Sequence, residues 1–204
     1  MFTGIVQAKG RIVTAGAGPD GLRLAIAPGA LDVADIGIGD SVAVNGCCLT
    51  VVEKRAGPDG PVLLFDVSAE TIRCTTGLGA PGEVNLEKAL RLADRLGGHL
   101  MTGHVDGVGQ VVAFTAVTGD PGGSWRLDIE APGPLARFIA AKGSIAVQGV
   151  SLTVNGVDGR RFHVNLIPHT LAVTTLGALA VGAVVNLEID LVARYVQRLS
   201  SADL

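Results

Sequence analysis

Apolar residues fall in short segments separated by glycine- and proline-rich turns, and at residues 22–27 they alternate with other positions. This period of two predicts β-strands, because successive side chains of a strand point to opposite faces. In the first half, we interpret residues 2–6, 12–13, 22–27, 41–53, 62–67 and 84–86 as strands. In the second half, the corresponding segments are residues 124–129, 144–154, 162–167 and 184–189.

Helical spacing is limited to a few segments. Leu86, Ala89, Leu90, Ala93 and Leu96 recur every three or four residues, which predicts a helix that ends at the glycine pair 97–98. The other helical predictions are short helices over residues 30–35 and 135–141, a helix start near Glu70, and a terminal helix over residues 191–199.

The chain contains an internal repeat. SVAVNGCCLTV at residues 41–51 returns as SIAVQGVSLTV at residues 144–154, with seven identical positions in eleven, where composition alone gives about one. MFTGIV at the start corresponds to LMTGHV at residues 100–105, and ETIRCTTGLG corresponds to HTLAVTTLG. The sequence therefore predicts a tandem duplication of a small domain, with domains at residues 1–97 and 98–190 and a terminal segment at 191–204.

Each half thus has about six short strands, few helices and frequent turn signals. A small closed β-barrel fits this pattern, because closure removes exposed sheet edges. A β-sandwich is the alternative. A small barrel can hold one small ligand at its mouth, so two similar barrels predict two similar pockets.

The composition narrows the function classes. Hydrophobic residues make up 48% of the 204 positions, charged residues 17%, and the net charge is −3 without a basic cluster. These values favour a packed globular protein and argue against nucleic acid or an anionic membrane as partner. Apolar runs stay short of the roughly 18 residues that span a bilayer, and the N-terminus lacks the pattern of a signal peptide.

The cysteines point to a reducing compartment. Cys47, Cys48 and Cys74 are odd in number, and the adjacent pair would point to opposite faces of a strand. A disulfide framework is therefore not expected, and we predict a cytoplasmic protein. The sequence contains no CxxC or HExxH motif, so we also predict no metal site.

Residues that the two copies share or exchange are the candidates for chemistry. Thr50 and Thr153 lie in apolar strands, where a threonine either suits the strand or directs its hydroxyl into a pocket. Cys48 corresponds to Ser151, and both side chains can act as nucleophiles. His104 takes the place of Ile5, and is either a structural histidine or an acid/base group near neutral pH.

The motif set resembles one enzyme family. MFTGIV at the N-terminus, VNGCCLTV, GGHLMTGHVDG, QGVSLTVN and LIPHTL…TTLG are similar, in this order, to riboflavin synthase. The resemblance implies two six-stranded Greek-key barrels, each binding one 6,7-dimethyl-8-ribityllumazine, and a C-terminal helix that assembles a homotrimer. It implies an all-β tandem duplication with short helices.

The resemblance also implies the reaction. One lumazine donates a four-carbon unit to the other, which gives riboflavin and 5-amino-6-(ribitylamino)uracil without a cofactor or metal. The active site is expected between the N-terminal barrel of one subunit and the C-terminal barrel of its neighbour. The implied partners are thus two lumazine molecules and further copies of the chain, and lumazine synthase is a candidate for association.

The site residues carried over by motif form two sets. The first pocket is expected to comprise Gly4, Ile5, Val6, Cys48, Leu49, Thr50, Asp66, Val67, Ser68, Ala69, Glu70 and Thr71. The second is expected to comprise Gly103, His104, Val105, Ser151, Leu152, Thr153, Asn165, Leu166, Ile167, Pro168, His169 and Thr170. Phe2 is expected to close over the site, and His99 and Lys142 to contribute across the subunit boundary.

Roles follow from the same resemblance. Cys48, His104 and Ser151 are the candidates for acid/base or nucleophilic catalysis, with Thr50 and Thr153 hydrogen-bonding the ring system. Two other interpretations stay open: a non-catalytic lumazine- or flavin-binding antenna protein of the same superfamily, and a purely structural pair of barrels.

Overall fold

The structure, a computed structural model, describes residues 1–200 and consists of two closed six-stranded barrels. The first barrel contains β1 (Ala8–Ala17), β2 (Gly21–Ala27), β3 (Ser41–Val44), β4 (Cys47–Gly57), β5 (Gly60–Ser68) and β6 (Gly82–Lys88), with α1 (Ala69–Cys74) between the last two strands. The second contains β7 (Gly107–Ala116), β8 (Trp125–Glu130), β9 (Ser144–Val147), β10 (Val150–Asp158), β11 (Arg161–Leu166) and β12 (Val184–Ile189). Its helices are α2 (Gly133–Ala136), α3 (Pro168–Val173), a 3-10 turn (Thr175–Ala178) and the terminal α4 (Leu191–Ser200).

Both barrels have the same Greek-key topology. The strand order is β1-β2-β5-β4-β3-β6 in the first barrel and β7-β8-β11-β10-β9-β12 in the second, with antiparallel neighbours throughout. β2 pairs with β5 across the β3–β4 hairpin, which is the Greek-key connection. The all-β tandem duplication predicted from the sequence is therefore confirmed, and the sandwich alternative is wrong.

Alternation of inward and outward residues builds a separate core in each barrel. Ile12, Leu24 and Phe65 fill the first core, and Leu127, Ile129 and Phe162 fill the second. Bulges interrupt the ladders at matching places, between Val51 and Glu53 in one barrel and between Val154 and Gly156 in the other. Such bulges bend the strands, which a barrel this small requires.

The repeated motif is a hairpin and not the single strand that was predicted over residues 41–53. Asn45 and Gly46 turn between β3 and β4 with φ of 48° and 80°, and Gln148 and Gly149 repeat the turn with φ of 50° and 77°. Two positive φ values in a two-residue loop define a type I′ turn, for which Asn-Gly is the preferred pair.

The tips of these two hairpins meet at the centre of the molecule. Asn85 Nδ2 donates to the Gln148 carbonyl at 2.9 Å, and its counterpart Asn186 Nδ2 donates to the Asn45 carbonyl at 3.1 Å. All four side chains are buried, at no more than 8% exposure. The side-chain oxygen of each of these four residues also accepts a hydrogen bond from a backbone N–H group. The buried polar groups therefore have partners, and the network joins the two halves with approximate twofold symmetry.

Three other local predictions are wrong. The segment after β6 is irregular and not a helix: Leu86 belongs to β6 and its core, whereas Leu92 and Leu96 are exposed. Residues 30–35 form turns, and residues 2–6 hold only a single bridge from Phe2 to Met101. α2 is shorter than predicted, whereas the helix near Glu70 and the terminal helix are confirmed; residues 201–204 of the predicted terminal segment lie outside the described residues.

The described helices also bear on the membrane question. Within residues 1–200, none is both long and apolar enough to cross a bilayer.

We expect Gly46→Ala to destabilise the protein more than Gly39→Ala. Both glycines have positive φ, of 80° and 94°, so both substitutions carry the left-handed cost of about 1–2 kcal/mol. A Cβ on Gly46 would lie 2.7 Å from the Gly149 nitrogen, whereas a Cβ on Gly39 meets nothing within 4 Å. Crowding at the tips adds roughly 1–3 kcal/mol, measurable by urea unfolding. Equal losses in the two variants would contradict the packed contact between the turns.

Candidate active site

Each barrel has an opening where two neighbouring strands separate. The β4–β5 ladder ends at Val51 and Phe65, although β4 begins at Cys47 and β5 continues to Ser68. We call this gap, between residues 48–50 and 66–68, the first opening. The second opening lies between residues 151–153 and 165–166, because the β10–β11 ladder ends at Val154 and Val164.

Such an opening suits a flat heterocycle. The separated strands are not paired with each other there, so their backbone groups have no partner in the facing strand. A ligand that carries both donors and acceptors can bond these groups, apart from the Cys48 and Ser151 amides, which donate to the protein itself. Thr50 and Thr153 are exposed at the two openings, while Leu49 and Leu166 point into the cores and contribute backbone only. The predicted segments of residues 48–50, 66–71, 151–153 and 165–170 are therefore brought together in two equivalent places.

The segments that precede the barrels cross over between them. The Cys48 amide donates to the Gly103 carbonyl at 2.8 Å, and the Ser151 amide donates to the Gly4 carbonyl at 2.8 Å. Val105 accordingly packs against the first core, and Val6 against the second. Residues 103–105 thus line the first opening and residues 4–6 the second.

This crossing corrects the predicted grouping. The sequence analysis groups Gly4, Ile5 and Val6 with the first barrel and Gly103, His104 and Val105 with the second, whereas in the structure each of these segments contacts the other barrel. The physical reason is the antiparallel bridge of Phe2 with Met101, which sends each segment past its symmetry mate to the other barrel. The predicted division at residue 97 therefore separates two halves of the sequence but not two independent openings.

Two buried glutamates hold the crossing segments. Glu87 of β6 accepts from Thr3 N and Oγ1, both at 2.7 Å, and from Gly4 N at 3.0 Å. Glu188 of β12 accepts in the same way from Thr102 N at 2.6 Å, Thr102 Oγ1 at 2.7 Å and Gly103 N at 3.0 Å. Burial raises the pKa of both carboxyls, against the opposing effect of these donors. The sequence prediction missed both residues.

Ser151 has a histidine partner. His99 Nδ1 lies 2.7 Å from Ser151 Oγ, and the ring is 9% exposed, with Nε2 buried and without a partner among the described residues. Burial lowers the pKa of His99, and the Asp190 carboxylate opposes this only in part. The imidazole is therefore neutral near pH 7 and can exchange a proton with the serine hydroxyl.

The first opening has a thiol at the corresponding place. Cys48 is half-buried and packs beside Phe2 and Met101, while its neighbour Cys47 lies in the first core. Burial raises the pKa of Cys47 to about 12, so this thiol stays protonated and inert. The predicted opposite orientation of the two cysteines is confirmed.

Several predicted site residues serve the framework. Phe2 is completely buried between the halves, beneath Cys48 and Gly103, and does not close over an opening as expected. Ser68 caps α1 by accepting from the Thr71 amide, and Glu70 forms an exposed ion pair with Arg73. Val67 lies in the first core, while the exposed Ala69 belongs to α1.

The remaining predicted residues surround the second opening. Ile167, Pro168 and His169 are exposed where α3 begins, Leu152 packs on the second core, and the half-buried Thr170 accepts from Thr174. Lys142 is exposed, and its amide donates to the Val154 carbonyl at the end of the β10–β11 ladder. His104 is exposed beside the first opening.

The two openings differ in charge. Arg23 forms a bidentate ion pair with Asp66, with both contacts at 2.7 Å, which lowers the pKa of that carboxyl. In the second barrel Asn165 replaces the carboxylate, and Arg126 pairs instead with Asp128.

A separate cavity of about 550 Å³ lies beside the first barrel, lined by residues 35–41 and 87–97 and by Thr3 and Ile5. Two ion pairs lie in its wall, Lys88 with Asp35 and Arg91 with Asp94. Its lining does not include the repeated residues 48–50 and 151–153 of the two openings. Among residues 1–200, no group of three or more His, Cys, Asp or Glu side chains is placed to hold a metal ion.

Comparison with known families agrees with this geometry. The lumazine binding domain matches the chain twice, over residues 3–89 and 102–190. The chain belongs to the lumazine-binding domain family. Each of the two matched ranges contains one barrel and the leading segment that precedes it in the sequence and packs on the other barrel.

Curated relatives cover the whole chain. A riboflavin synthase of Mycobacterium tuberculosis is 49% identical over 98% of both chains. Riboflavin synthases of Brucella abortus and Photobacterium phosphoreum are 42% and 40% identical, over 98% and 100% of this lumazine-binding chain and 98% and 90% of theirs.

Solved structures of the family share the fold. LumP complexed with riboflavin superposes with a TM-score of 0.78 at 30% identity, covering 93% of this chain and 99% of that one. LumP complexed with 6,7-dimethyl-8-(1'-D-ribityl) lumazine gives a TM-score of 0.74 at 28% identity, with the same coverage.

We expect neutral His99 to make stability depend on pH. A histidine whose pKa is lowered by folding binds its proton more readily when unfolded, so its contribution is lost as the pH falls through about 6.5. The free energy of unfolding should therefore rise between pH 5 and 7.5 more steeply in wild type than in His99→Asn, by at most about 1.4 kcal/mol per pH unit. Glu87 and Glu188, whose pKa values are raised, make the free energy of unfolding fall with pH, but they do so equally in both proteins. Subtracting one pH curve from the other therefore removes their effect. Parallel pH curves would show that His99 is not held neutral.

Proposed function

We propose that this chain converts two molecules of 6,7-dimethyl-8-ribityllumazine into riboflavin and 5-amino-6-(ribitylamino)uracil. The observation that carries the proposal is the presence of two equivalent openings in a chain that is 49% identical to a riboflavin synthase over 98% of its length. A reaction between two copies of one substrate needs two related binding sites. The four carbons lost by one lumazine are those gained by the other, so the stoichiometry needs no external oxidant, reductant or carbon donor.

Binding itself supplies much of the catalysis. Each opening holds one lumazine by its unpaired strand groups and by the hydroxyls of Thr50 or Thr153. Two bound and oriented substrates react as one unit, which can lower the barrier by up to roughly 7–11 kcal/mol. The chemistry also requires a proton to leave a methyl group of one lumazine and later proton returns.

The proton carriers differ between the openings. The hydrogen-bonded Ser151 and His99 supply an acid/base pair at the second, where the buried imidazole can accept the serine proton. Cys48 and the exposed His104 are the corresponding groups at the first. Lys142 reaches out beside the second opening, and its proposed partner is the ligand of an adjoining subunit.

The proposal includes a homotrimer, with the first opening of one subunit against the second opening of the next. α4 supports assembly through four exposed apolar residues at helical spacing: Val192, Tyr195, Val196 and Leu199. Such a stripe is typical of a helix that packs on another copy. The cytoplasmic location and an association with lumazine synthase stay predictions from the cysteine pattern and the resemblance.

A binding protein is the second candidate, because LumP complexed with riboflavin shares the fold at a TM-score of 0.78. A binder needs one working opening only. Here both openings keep a threonine, a nucleophile-capable side chain and a crossing segment, which favours the enzyme.

We expect purified protein and lumazine alone to yield riboflavin and the aminopyrimidine in equal amounts. Ser151→Ala should lower kcat by about 100-fold or more, because it removes the hydroxyl that His99 can deprotonate. Ser144→Ala, a serine at the start of β9, serves as the matched control and should retain activity. Binding of lumazine without any product would instead identify an antenna protein.

We expect Tyr195→Glu to separate the subunits and abolish turnover while lumazine binding persists. A charge in the apolar stripe opposes helix packing, whereas Arg198→Glu changes an exposed residue outside the stripe and should leave the assembly intact. Light scattering gives the mass, and equilibrium dialysis the binding. An active monomer would contradict a site shared between subunits.

A further inference from the structure

We propose that Glu87 and Glu188 are positioning residues that act across the two barrels. Each carboxylate belongs to one barrel and holds the segment that lines the opening of the other. The inference rests on the proposed function, because it concerns the same two openings. It assigns to these glutamates an effect on ligand binding in the barrel to which they do not belong.

The contacts form a continuous chain from Glu188 to the first opening. The carboxylate accepts from Thr102 and Gly103, and the Gly103 carbonyl then accepts the amide of Cys48 at 2.8 Å. Thr102 Oγ1, which donates to Glu188, also accepts the His104 amide at 3.3 Å. One carboxylate of the second barrel thus fixes the backbone beside both candidate catalytic residues of the first opening, Cys48 and His104.

Glu87 repeats the arrangement in the other direction. It holds Thr3 and Gly4, and the Gly4 carbonyl accepts the amide of Ser151 at 2.8 Å. Thr3 Oγ1 accepts the Ile5 amide at 3.1 Å. The carboxylate of the first barrel therefore positions the segment against the serine of the second opening.

A carboxylate is the group that this geometry requires. Both of its oxygens accept, so it satisfies three donors from a segment that has no strand partner of its own at that point. Glutamine would turn an NH₂ group toward one of those donors. The held glycines have φ of 76° and 78°, and a Cβ on Gly4 would lie 2.5 Å from that of Ser151, so the segment has little freedom to adapt.

A purely structural glutamate would act differently. Glu87 and Glu188 are each 4% exposed and face away from the core of the barrel whose strand carries them, so a purely structural role would weaken the opening of that barrel or both openings equally. A crossed effect is specific to the positioning role. The two glutamates are therefore each other's control.

The experiment uses Glu87→Gln and Glu188→Gln in the full chain, with riboflavin as the probe. Amide resonances of Cys48 and Ser151 report the two openings separately during a titration. Glu188→Gln should raise the Kd at the first opening about tenfold or more and leave the second within about twofold, and Glu87→Gln should do the reverse. Glu83→Gln, an exposed glutamate of β6, should change neither.

If Glu87→Gln or Glu188→Gln does not fold, milder variants test the same inference. Thr102→Val and Thr3→Val keep both carboxylates and remove the hydroxyl that links each one to its segment, together with that hydroxyl's bond to the His104 or Ile5 amide. They should weaken the first and the second opening respectively. An effect in the same barrel, equal effects at both openings, or no effect would overturn the inference. Failure of the wild type to bind riboflavin or lumazine would instead overturn the proposed function.

Discussion

The reciprocal contact of two type I′ turns is the interaction on which the rest of this structure depends. Gly46 and Gly149 approach so closely that neither has room for a side chain. The side-chain amides of Asn45, Asn85, Gln148 and Asn186 bond the backbone around the two turns. Buried amides without these partners would carry the full desolvation cost, so the halves meet in one orientation only. That orientation places each leading segment beside the other barrel.

From this arrangement follows the character of the binding sites. A closed barrel has no free edge, yet a ligand that carries hydrogen-bond donors and acceptors needs unpaired backbone groups. The early end of the β4–β5 and β10–β11 ladders provides them without opening the barrel, because each strand remains paired on its other side. The crossing segments then cover part of each gap, so each opening is lined by residues from both halves of the chain.

The two barrels could be predicted from the sequence, whereas the crossing of the leading segments could not, for physical reasons. The repeat and the strand period predicted two equivalent barrels, and the repeat also contained an unused signal: VNLE at residues 84–87 returns at 185–188, with Asn85, Asn186 and both glutamates in it. The Asn-Gly pair likewise indicated the hairpin. The crossing of the leading segments could not be predicted, because the same residues could make the same contacts whether each segment packs on its own barrel or on the other. The false helix over residues 86–96 arose because the exposed Ala93 and Leu96 supplied part of the periodicity from the surface.

The bridge between Phe2 and Met101 joins residues that occupy the same position of the repeat. Contacts between equivalent positions are those of a symmetric pair of identical molecules, so a dimer of single-barrel ancestors would already have possessed them. Gene fusion then needed only the irregular connection over residues 89–98, with the exchanged segments left in place. Once fused, the copies were free to diverge, as Cys48 and Ser151 have done, but a change in either leading segment alters the opening of the other copy.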